Sequence, residues 1–384
     1  SPAALPSASM SRSRAFPAQR GANAVLGAAA SLAQRCPGGR QTDDPANLLV
    51  LRLGNVGDIV VALPAFHALR RRFPHAHITL LTSPTRRGAP GAREVLADDR
   101  TFDDLWVYYA DESQRPAFLR GLRSRIAEAR IDLAVALPNH LTTIPSLGKY
   151  LALLAAGGVR RFVGFRVVER ADHARPQVER LADLLAPLRA NDIEALPWLV
   201  PGPDAEAQAE ALLADTGDRP VVALHCGAAR PANQWFPEHF AALGRRIAAE
   251  TGAVIVLTGT PGDAPLTRQV AAKIGDAARD LAGRTSIPEL AAIAHRCRLF
   301  VANDTGAMHV AYAAGAPVLA IFSARFHPHV WYPYGTRSRV LRADVPCSPC
   351  HADRCPLAER PPCLEAITPD AAFALAREML GPRQ

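Results

Sequence analysis

The chain has almost no lysine and no long apolar run. Arginine supplies nearly all of the positive charge, because Lys149 and Lys273 are the only lysines in the sequence. Apolar stretches are interrupted by Arg, Gly or Pro well before the roughly 20 residues that a membrane-spanning helix needs. The net charge of +8 includes no dense basic run interleaved with aromatics, the pattern that favours nucleic-acid binding. We therefore expect a globular protein that handles anionic substrates and binds no nucleic acid.

Cysteine is scarce as well. Seven cysteines in 384 residues are too few for a disulfide scaffold, which is typical of small secreted domains. Residues 1–46 are rich in Ser, Ala, Pro, Gly and Arg and lack the continuous apolar segment of a secretory signal. We expect a disordered tail over residues 1–46 and a cytoplasmic location.

What the sequence does contain is a repeated alternation of apolar segments and helical patterns, which predicts an α/β protein with parallel sheets. A Pro- and Gly-rich stretch at 199–204 (LVPGPD) interrupts the alternation and has the composition of an interdomain linker. We expect two Rossmann-like domains, residues 47–200 and 201–384, that face each other across a cleft. The predicted strands lie at residues 47–53, 77–82, 104–108, 131–137, 161–165, 220–224, 253–257, 299–302 and 317–322.

A glycine turn follows the first predicted strand. Its sequence is Gly54-Asn55-Val56-Gly57-Asp58, and it leads into a helical pattern. The GxxG spacing is not the GxGxxG fingerprint of dinucleotide-binding proteins, which disfavours a nicotinamide-dependent dehydrogenase. Asp58 stands where ligands bind in open α/β sheets, but an aspartate there also caps helices. From this turn alone both interpretations remain open.

A second polar turn, at residues 303–306, joins an apolar strand to a helix of small residues. Free N–H groups at a helix N-terminus form an anion site, and Thr305 and Gly306 allow a phosphate to approach closely. Asp304 and His309 are also within reach of such an anion. The alternative is that Asp304 only caps the helix and His309 packs beneath it.

Two further groups are candidates for binding. Asn139, His140 and Lys149 follow the fourth predicted strand and are candidate substrate contacts, although solvated loop residues are the alternative. The spacing C-x2-C-x4-C-x7-C over residues 347–363 suits a structural zinc or iron site, since four thiolates complete a tetrahedral set. Four reduced thiols in a Pro-rich loop are the alternative. The candidate ligands are Cys347, Cys350, Cys355 and Cys363.

The ordered set of motifs resembles the ADP-heptose:lipopolysaccharide heptosyltransferases of glycosyltransferase family 9. The motifs are residues 52–58 (RLGNVGD), 225–228 (HCGA), Trp235 with residues 237–238 (PE), 257–259 (LTG), 303–306 (NDTG) with His309, and 334–335 (YG). The resemblance implies a GT-B fold and transfer of a heptose from an ADP-sugar to a hydroxyl of a lipopolysaccharide core or another glycan. It further implies catalysis without a metal and peripheral contact with the inner membrane.

The resemblance also implies residue roles. Asp58 matches the general base, and the turn at 303–306 with its histidine matches the donor phosphate site. The family usually has a lysine where this chain has Asn233, and we hypothesise that Arg230 supplies the missing charge. The loop at 323–328 (SARFHP) also departs from the family pattern, so a nucleotide-sugar donor is better supported than heptose itself. The candidate donor-binding residues are Arg52, Gly57, His225, Arg230, Asn233, Asp304, Thr305, Gly306 and His309.

Two other functions stay open at the level of sequence. One is another GT-B enzyme such as a nucleotide-sugar epimerase. The other is a sugar-nucleotide-binding module with little turnover, because the lysine is missing at position 233. The acceptor loops carry little pattern, so a protein acceptor is open too.

Overall fold

The structure, a computed structural model, describes residues 44–113, 115–139, 142–167 and 175–381. The predicted tail up to residue 43 and the candidate His140 lie outside these residues. The first half of the described chain consists, in order, of β1 (Asn47–Leu51), α1 (Val56–Val60), α2 (Leu63–Arg72), β2 (His77–Thr82), α3 (Ala92–Val95), β3 (Asp104–Val107), α4 (Pro116–Glu128), β4 (Leu133–Ala136), α5 (Ile144–Ala156), β5 (Arg161–Val163) and α6 (Gln177–Leu184).

The second half repeats the alternation of strands and helices. Its elements are α7 (Pro203–Leu213), β6 (Val221–His225), α8 (Pro237–Thr251), β7 (Val254–Thr258), α9 (Ala264–Ile274), β8 (Ala278–Asp280), α10 (Ile287–Arg296), β9 (Leu299–Asn303), α11 (Gly306–Ala313), β10 (Val318–Phe322), β11 (Ser338–Arg342), α12 (Pro362–Glu365) and α13 (Pro369–Leu380).

Each half forms one parallel sheet. The strand order is β3-β2-β1-β4-β5 in the first and β11-β10-β9-β6-β7-β8 in the second. In both orders the chain reverses its direction of winding once, between β1 and β4 and between β6 and β9. Ligands of open α/β sheets bind outside the strand carboxyl ends at these reversal points. The predicted α/β class with two Rossmann-like sheets is confirmed, and both predicted turns lie at a reversal point.

Some elements differ from the sequence-based expectation. Pro64 does not kink a long helix, because the helix is divided into α1 and α2 and Pro64 occupies the first turn of α2, where a missing N–H costs nothing. Helix α7 begins at Pro203, inside the stretch that was predicted as linker. The polar edge strands β8 and β11 carry too little apolar alternation to have been predicted. The C-terminal helix α13 was not predicted either, although its buried residues Ala372, Phe373, Ala376 and Leu380 have helical spacing. The division at residues 200 and 201 stays a prediction.

The two halves meet through helices α1 and α11. A Cβ added at Gly57 would lie 2.9 Å from the His309 ring, and one added at Gly306 would lie 3.0 Å from Val56 Cβ. Apolar residues of both halves, among them Val56 and Met308, belong to one continuous buried cluster. The contact therefore brings the glycine turn of the first sheet against the phosphate-type turn of the second. No helix in the described ranges is long and apolar enough to cross a membrane.

Candidate active site

Asp58 lies at the carboxyl edge of the first sheet, in the first turn of α1. Its Oδ2 accepts a hydrogen bond from the backbone N–H of Asn55 at 3.1 Å, and its Oδ1 accepts one from Asn139 Nδ2 at 3.2 Å. The side chain is 20% exposed, so one face of the carboxylate is open to a reactant. The contact with Asn55 is the capping arrangement that the sequence allowed, and it leaves acceptor capacity on both oxygens.

Arg52 is the residue that fixes the Asp58 segment from behind. Its guanidinium donates to the Asp58 carbonyl at 2.9 and 2.7 Å and to the Leu137 carbonyl at 2.9 Å. Its Nη2 also lies 3.6 Å from Asp58 Oδ1. The side chain is completely buried, and burial lowers the pKa of Arg52 against the opposing effect of Asp58. Arg52 therefore holds the backbone of Asp58 in this structure, and its predicted contact with the donor stays a prediction.

The candidate acceptor-side residues separate in the structure. Asn139 contacts Asp58 directly, which ties the loop after β4 to the carboxylate. Lys149, on α5, donates to the Ser113 carbonyl at 3.3 Å, and its Nζ lies 4.9 Å from the centre of the Tyr150 ring. Burial lowers the pKa of Lys149. Asn139 thus contacts the Asp58 carboxylate, whereas Lys149 contacts Ser113 and Tyr150.

The turn at 303–306 is held rigidly by buried amides. Asn303 donates to the Cys226 carbonyl at 2.9 Å and accepts from the Trp235 N–H at 2.9 Å. Asn233, which stands in the lysine position of the family pattern, donates to the Asp304 carbonyl at 3.1 Å and to its Oδ2 at 3.0 Å. Asn233 therefore braces the turn and carries no charge toward a ligand.

Asp304 occupies an environment that opposes its ionisation. Burial raises its pKa to about 7, although the charges of Arg325 and Arg230 and the hydrogen bond from Asn233 act in the other direction. Desolvation wins because water stabilises a carboxylate better than a neighbouring amide does. Near neutral pH Asp304 is thus partly protonated, so it repels an incoming phosphate less than an ordinary aspartate would.

His225 and His309 are both neutral in the folded protein. Burial lowers the pKa of His225 to about 4 and that of His309 to about 3. His225 Nδ1 lies 3.0 Å from Thr258 Oγ1, and the His309 ring packs against Tyr312 and Trp331. Neither histidine therefore carries a positive charge near neutral pH, and their place at the donor phosphate stays a prediction.

The structure adds a basic residue that the sequence reasoning missed. Arg325, in the loop after β10, donates to Asp353 Oδ1 at 2.8 Å, and Arg230 donates to the same oxygen at 2.9 Å. Ser323 Oγ donates to Asn233 Oδ1 at 2.8 Å, which joins this loop to the turn at 303–306. The sequence could have indicated Arg325, because it lies in the loop at 323–328 that departs from the family pattern.

The four cysteines of the 347–363 loop differ in burial, and the metal site proposed for them stays a prediction. Cys347 and Cys350 are exposed, whereas Cys363 is buried in the core beneath the second sheet. Burial raises the pKa of the Cys363 thiol, and the neighbouring thiols add to this effect. Within the part of the chain that the structure describes, no group of three or more His, Cys, Asp or Glu side chains is placed to hold a metal ion. Cys355 is intermediate in burial between the exposed pair and Cys363.

Two Rossmann-like sheets place an open carboxylate at one reversal point and a helix N-terminus with nearby arginines at the other. This is the arrangement of the GT-B glycosyltransferases, in which a nucleotide-sugar and an acceptor meet between the sheets. Comparison with known proteins specifies the class further. Residues 122–360 match the sequence profile of glycosyltransferase family 9 (heptosyltransferase). The chain belongs to this family and is a glycosyltransferase.

Several heptosyltransferases are similar to the chain over most of their length. The lipooligosaccharide heptosyltransferase 2 of Haemophilus influenzae is 24% identical in an alignment of 321 residues that covers 77% of this chain and 88% of that protein. The lipopolysaccharide heptosyltransferase 2 of Salmonella typhimurium is 25% identical in an alignment of 316 residues that covers 77% and 87% of the two chains.

Solved structures confirm the fold. A family 9 glycosyltransferase from Veillonella parvula has a TM-score of 0.72 at 20% identity and covers 89% of this chain and 99% of its own. The ADP-heptose lps heptosyltransferase II of E. coli has a TM-score of 0.64 at 21% identity and covers 87% and 98%. The predicted GT-B fold is therefore confirmed.

Proposed function

We propose that this glycosyltransferase transfers a heptose from ADP-heptose to a hydroxyl of a lipopolysaccharide core, with Asp58 as the general base and without a catalytic metal. The observation that carries the proposal is the contact of α1 with α11, where Gly57 lies against His309. It sets the Asp58 turn beside the N-terminus of α11. A base and an anion site so close together suit a reaction in which one group loses a proton while another leaves as a diphosphate.

The acceptor side of the reaction rests on Asp58. An acceptor hydroxyl attacks the anomeric carbon of the donor sugar, a new C–O bond forms, and the bond from that carbon to the diphosphate oxygen breaks. Asp58 takes the hydroxyl proton, a role that typically contributes about 10²–10⁴-fold in rate. Asn139 donates to Asp58 Oδ1 and so orients the carboxylate, and Arg52 holds its backbone.

The donor side rests on the N-terminus of α11. The free N–H groups beside Thr305 and Gly306 and the positive end of the helix dipole stabilise charge on the departing diphosphate. The dipole alone contributes about 0.3–1 kcal/mol per charge, so side chains must add to it. Arg230 is the predicted contributor, and His309 serves as a neutral packing or hydrogen-bonding group.

Two names among the relatives support the donor and acceptor classes. The E. coli enzyme WaaC has been solved with ADP-2-deoxy-2-fluoro heptose, and the Salmonella relative is a lipopolysaccharide heptosyltransferase. Carried to this chain, they support an ADP-heptose donor and a lipopolysaccharide acceptor. A lipid-linked acceptor would bring the enzyme to a membrane surface as a peripheral protein.

The first experiment is calorimetric binding of ADP, UDP, GDP and NAD to the purified protein. We expect selective binding of ADP that weakens in Asp304→Ala, since that change removes the partner of Asn233 and loosens the turn. Asp204→Ala, an exposed aspartate at the start of α7, is the matched control. A preference for UDP or GDP would discard the heptose donor, and selective NAD binding would contradict the transferase.

The second experiment measures transfer from ADP-heptose to a heptose-deficient lipopolysaccharide core. Asp58→Asn keeps the shape of the side chain but removes the base, so we expect at least about 10²-fold slower transfer with unchanged ADP affinity. Asp204→Asn is the control. ADP binding without any transfer by the unmodified enzyme would favour the alternative, a sugar-nucleotide-binding module.

A further inference from the structure

The loop arginines form an anion site that already holds an internal anion. Arg230 and Arg325 both donate to the single oxygen Oδ1 of Asp353. The Arg325 side chain is only 8% exposed, whereas that of Asp353 is 64% exposed. A buried guanidinium thus points to an aspartate that reaches in from the solvent side. Two forked cations converging on one oxygen are a geometry that also suits a phosphate oxygen.

The charges in this cluster do not balance. Two guanidinium groups face one carboxylate, so one positive charge is left over. Asp304 does not neutralise it fully, because burial raises the pKa of Asp304 to about 7. Burial and then the charge of Arg230 lower the pKa of Arg325, the direction expected when a cation is desolvated beside another cation. An additional anion would relieve this repulsion.

The cluster is joined to the donor turn through a short chain of hydrogen bonds. The Arg325 N–H donates to Ser323 Oγ at 3.4 Å, Ser323 Oγ donates to Asn233 Oδ1 at 2.8 Å, and Asn233 Nδ2 donates to Asp304 Oδ2 at 3.0 Å. The arginine pair therefore lies beside the N-terminus of α11. An anion bound there is within reach of the helix dipole as well as of the two guanidinium groups.

Asp353 is held by its backbone and not by its side chain alone. Its carbonyl accepts from the Ala232 N–H at 3.1 Å, and Arg325 Nε donates to the Ala352 carbonyl at 2.9 Å. These bonds keep the loop docked when the carboxylate rotates away. The exposed carboxylate can therefore move away from the arginines while the backbone hydrogen bonds of the loop stay in place.

We propose that Arg325 and Arg230 bind the diphosphate of the nucleotide-sugar donor, and that Asp353 is a competing internal anion which the donor displaces. This inference rests on the proposed donor class and extends it to the residues that replace the family lysine. The arginine pair supplies the charge that Asn233 lacks, and Asp353 sets how tightly the diphosphate binds. Adenosine, which has no phosphate, does not use the site.

The test is calorimetry with ADP, adenosine and inorganic pyrophosphate on four variants. Asp353→Asn keeps the side-chain size and removes the competing charge, so the Kd for ADP and pyrophosphate should fall about fivefold. Arg325→Gln should raise the Kd for ADP about tenfold or more. Arg230→Gln, which removes a more exposed arginine and leaves the loop bonds of Arg325 in place, should raise it about fivefold. The affinity for adenosine should not change in any of them.

Asp344→Asn is the matched control for Asp353→Asn. Asp344 is an exposed aspartate paired with the nearly buried Arg342 at 2.9 Å, and its replacement should leave ADP affinity unchanged. Unchanged or weaker ADP binding in Asp353→Asn would overturn the competition, and unchanged binding in both arginine variants would overturn the site. If the unmodified protein binds pyrophosphate in this Asp353-dependent way but not ADP, the anion site stands and the ADP donor is wrong.

Discussion

The protonation state of single residues at this site depends on two opposing effects, burial and the charges of neighbouring groups. Burial raises the pKa of Asp304 to about 7, and it lowers the pKa of His309 to about 3. Both shifts favour the neutral form, since desolvation always penalises the charged one. In the proposed donor site the positive charge therefore comes from arginine, whose guanidinium stays protonated even where its pKa is lowered. This is a physical reason for an arginine-rich site in a chain with two lysines.

The first residue-scale prediction concerns the pH dependence of ADP binding. Asp304 is partly protonated at pH 7 and becomes an anion above it, so a diphosphate placed beside it should bind less tightly as the pH rises. We expect ADP affinity to fall between pH 6 and 8 by about threefold to tenfold per pH unit at most. Asp304→Asn should remove this fall, apart from what the ionisation of ADP itself contributes. Calorimetry at several pH values checks it, and parallel curves for the two proteins would contradict it.

The second residue-scale prediction concerns Arg52. Lysine cannot reproduce the fork that binds the Asp58 and Leu137 carbonyls, so Arg52→Lys should misplace the carboxylate. We expect kcat to fall about 10–100-fold while the Kd for ADP stays within about twofold, because the donor turn is on the other sheet. An unsatisfied buried carbonyl should also cost about 1–3 kcal/mol of stability, measured by urea unfolding. An unchanged kcat would argue against a positioning role.

At the scale of elements, two short helices decide how the two half-sites meet, namely the Asp58 turn of the first sheet and the turn at 303–306 of the second. Helix α1 begins at the glycine turn after β1, and α11 begins at the turn after β9. Each has glycine where the other approaches, since Gly57 faces His309 and Gly306 faces Val56. These glycines have ordinary backbone angles, so close approach and not φ requires them here. Because glycine has no side chain, the two helices can approach closely, and this approach sets the spacing between the proposed base and the proposed anion site.

A methyl group at this contact should separate the half-sites. The Cβ of Gly57→Ala would lie 2.9 Å from His309 Cδ2, so α1 and α11 must move apart. A displacement of about 1 Å can cost about 10²-fold in rate, and we expect a loss of that order in transfer with a smaller loss in ADP binding. Kinetics and calorimetry on the same preparation check it.

Gly121→Ala is the control for this change. Gly121 lies within α4, and an added Cβ there meets nothing within 4 Å. Because alanine is the better helix former, the control should gain about 0.5–1 kcal/mol in stability and keep full activity. Equal activity of the two alanine variants would show that the α1–α11 spacing does not matter.

At the scale of the whole molecule, the segment between the sheets is tied to both. Trp198 donates its backbone N–H to the Ala313 carbonyl at the end of α11, at 2.8 Å, and its ring packs against Tyr312. Toward the first half, Glu194 contacts His67 and Arg71 on α2. His67 Nε2 also lies 2.9 Å from Asp99 Oδ2. A histidine between two carboxylates thus fastens the connecting segment to the first sheet.

This fastening should make stability depend on pH. Burial lowers the pKa of His67, but the hydrogen bonds to Asp99 and Glu194 outweigh it, so the folded-state pKa is raised above the unfolded value of 6.5. A raised histidine pKa stabilises the fold fully below the unfolded pKa, and the contribution is lost as the pH rises through the folded pKa. Wild type should exceed His67→Gln in Tm by at least about 2 °C at pH 6.

The Tm difference between wild type and His67→Gln should shrink as the pH rises above 6.5. Differential scanning calorimetry at several pH values tests this, and the titration of Asp304 cancels in the comparison because both proteins contain it. A Tm difference that stays constant with pH would show that His67 is held as a neutral packing group.

The sequence alone determined the class and the placement of the two turns. Continuous apolar runs separated by helical patterns are typical of buried parallel strands, and a polar turn after such a strand lies at the sheet edge. Residues 54–58 and 303–306 were therefore predictable as turns at the sheet edge where ligands of open α/β sheets bind. The family pattern then gave Asp58 its proposed role. Weak apolar alternation is why the edge strands β8 and β11 were missed.

Tertiary structure decided which of the candidate groups are charged, open or occupied. Burial is a property of the packed chain, so the neutrality of His225 and His309, the enclosure of Arg52 and the unequal burial of the four cysteines could not be read from local sequence. The pairing of Arg230 with Arg325 on Asp353 joins residues that are up to 123 positions apart. Local patterns carry spacing along the chain, whereas electrostatics depends on distances that only the fold creates.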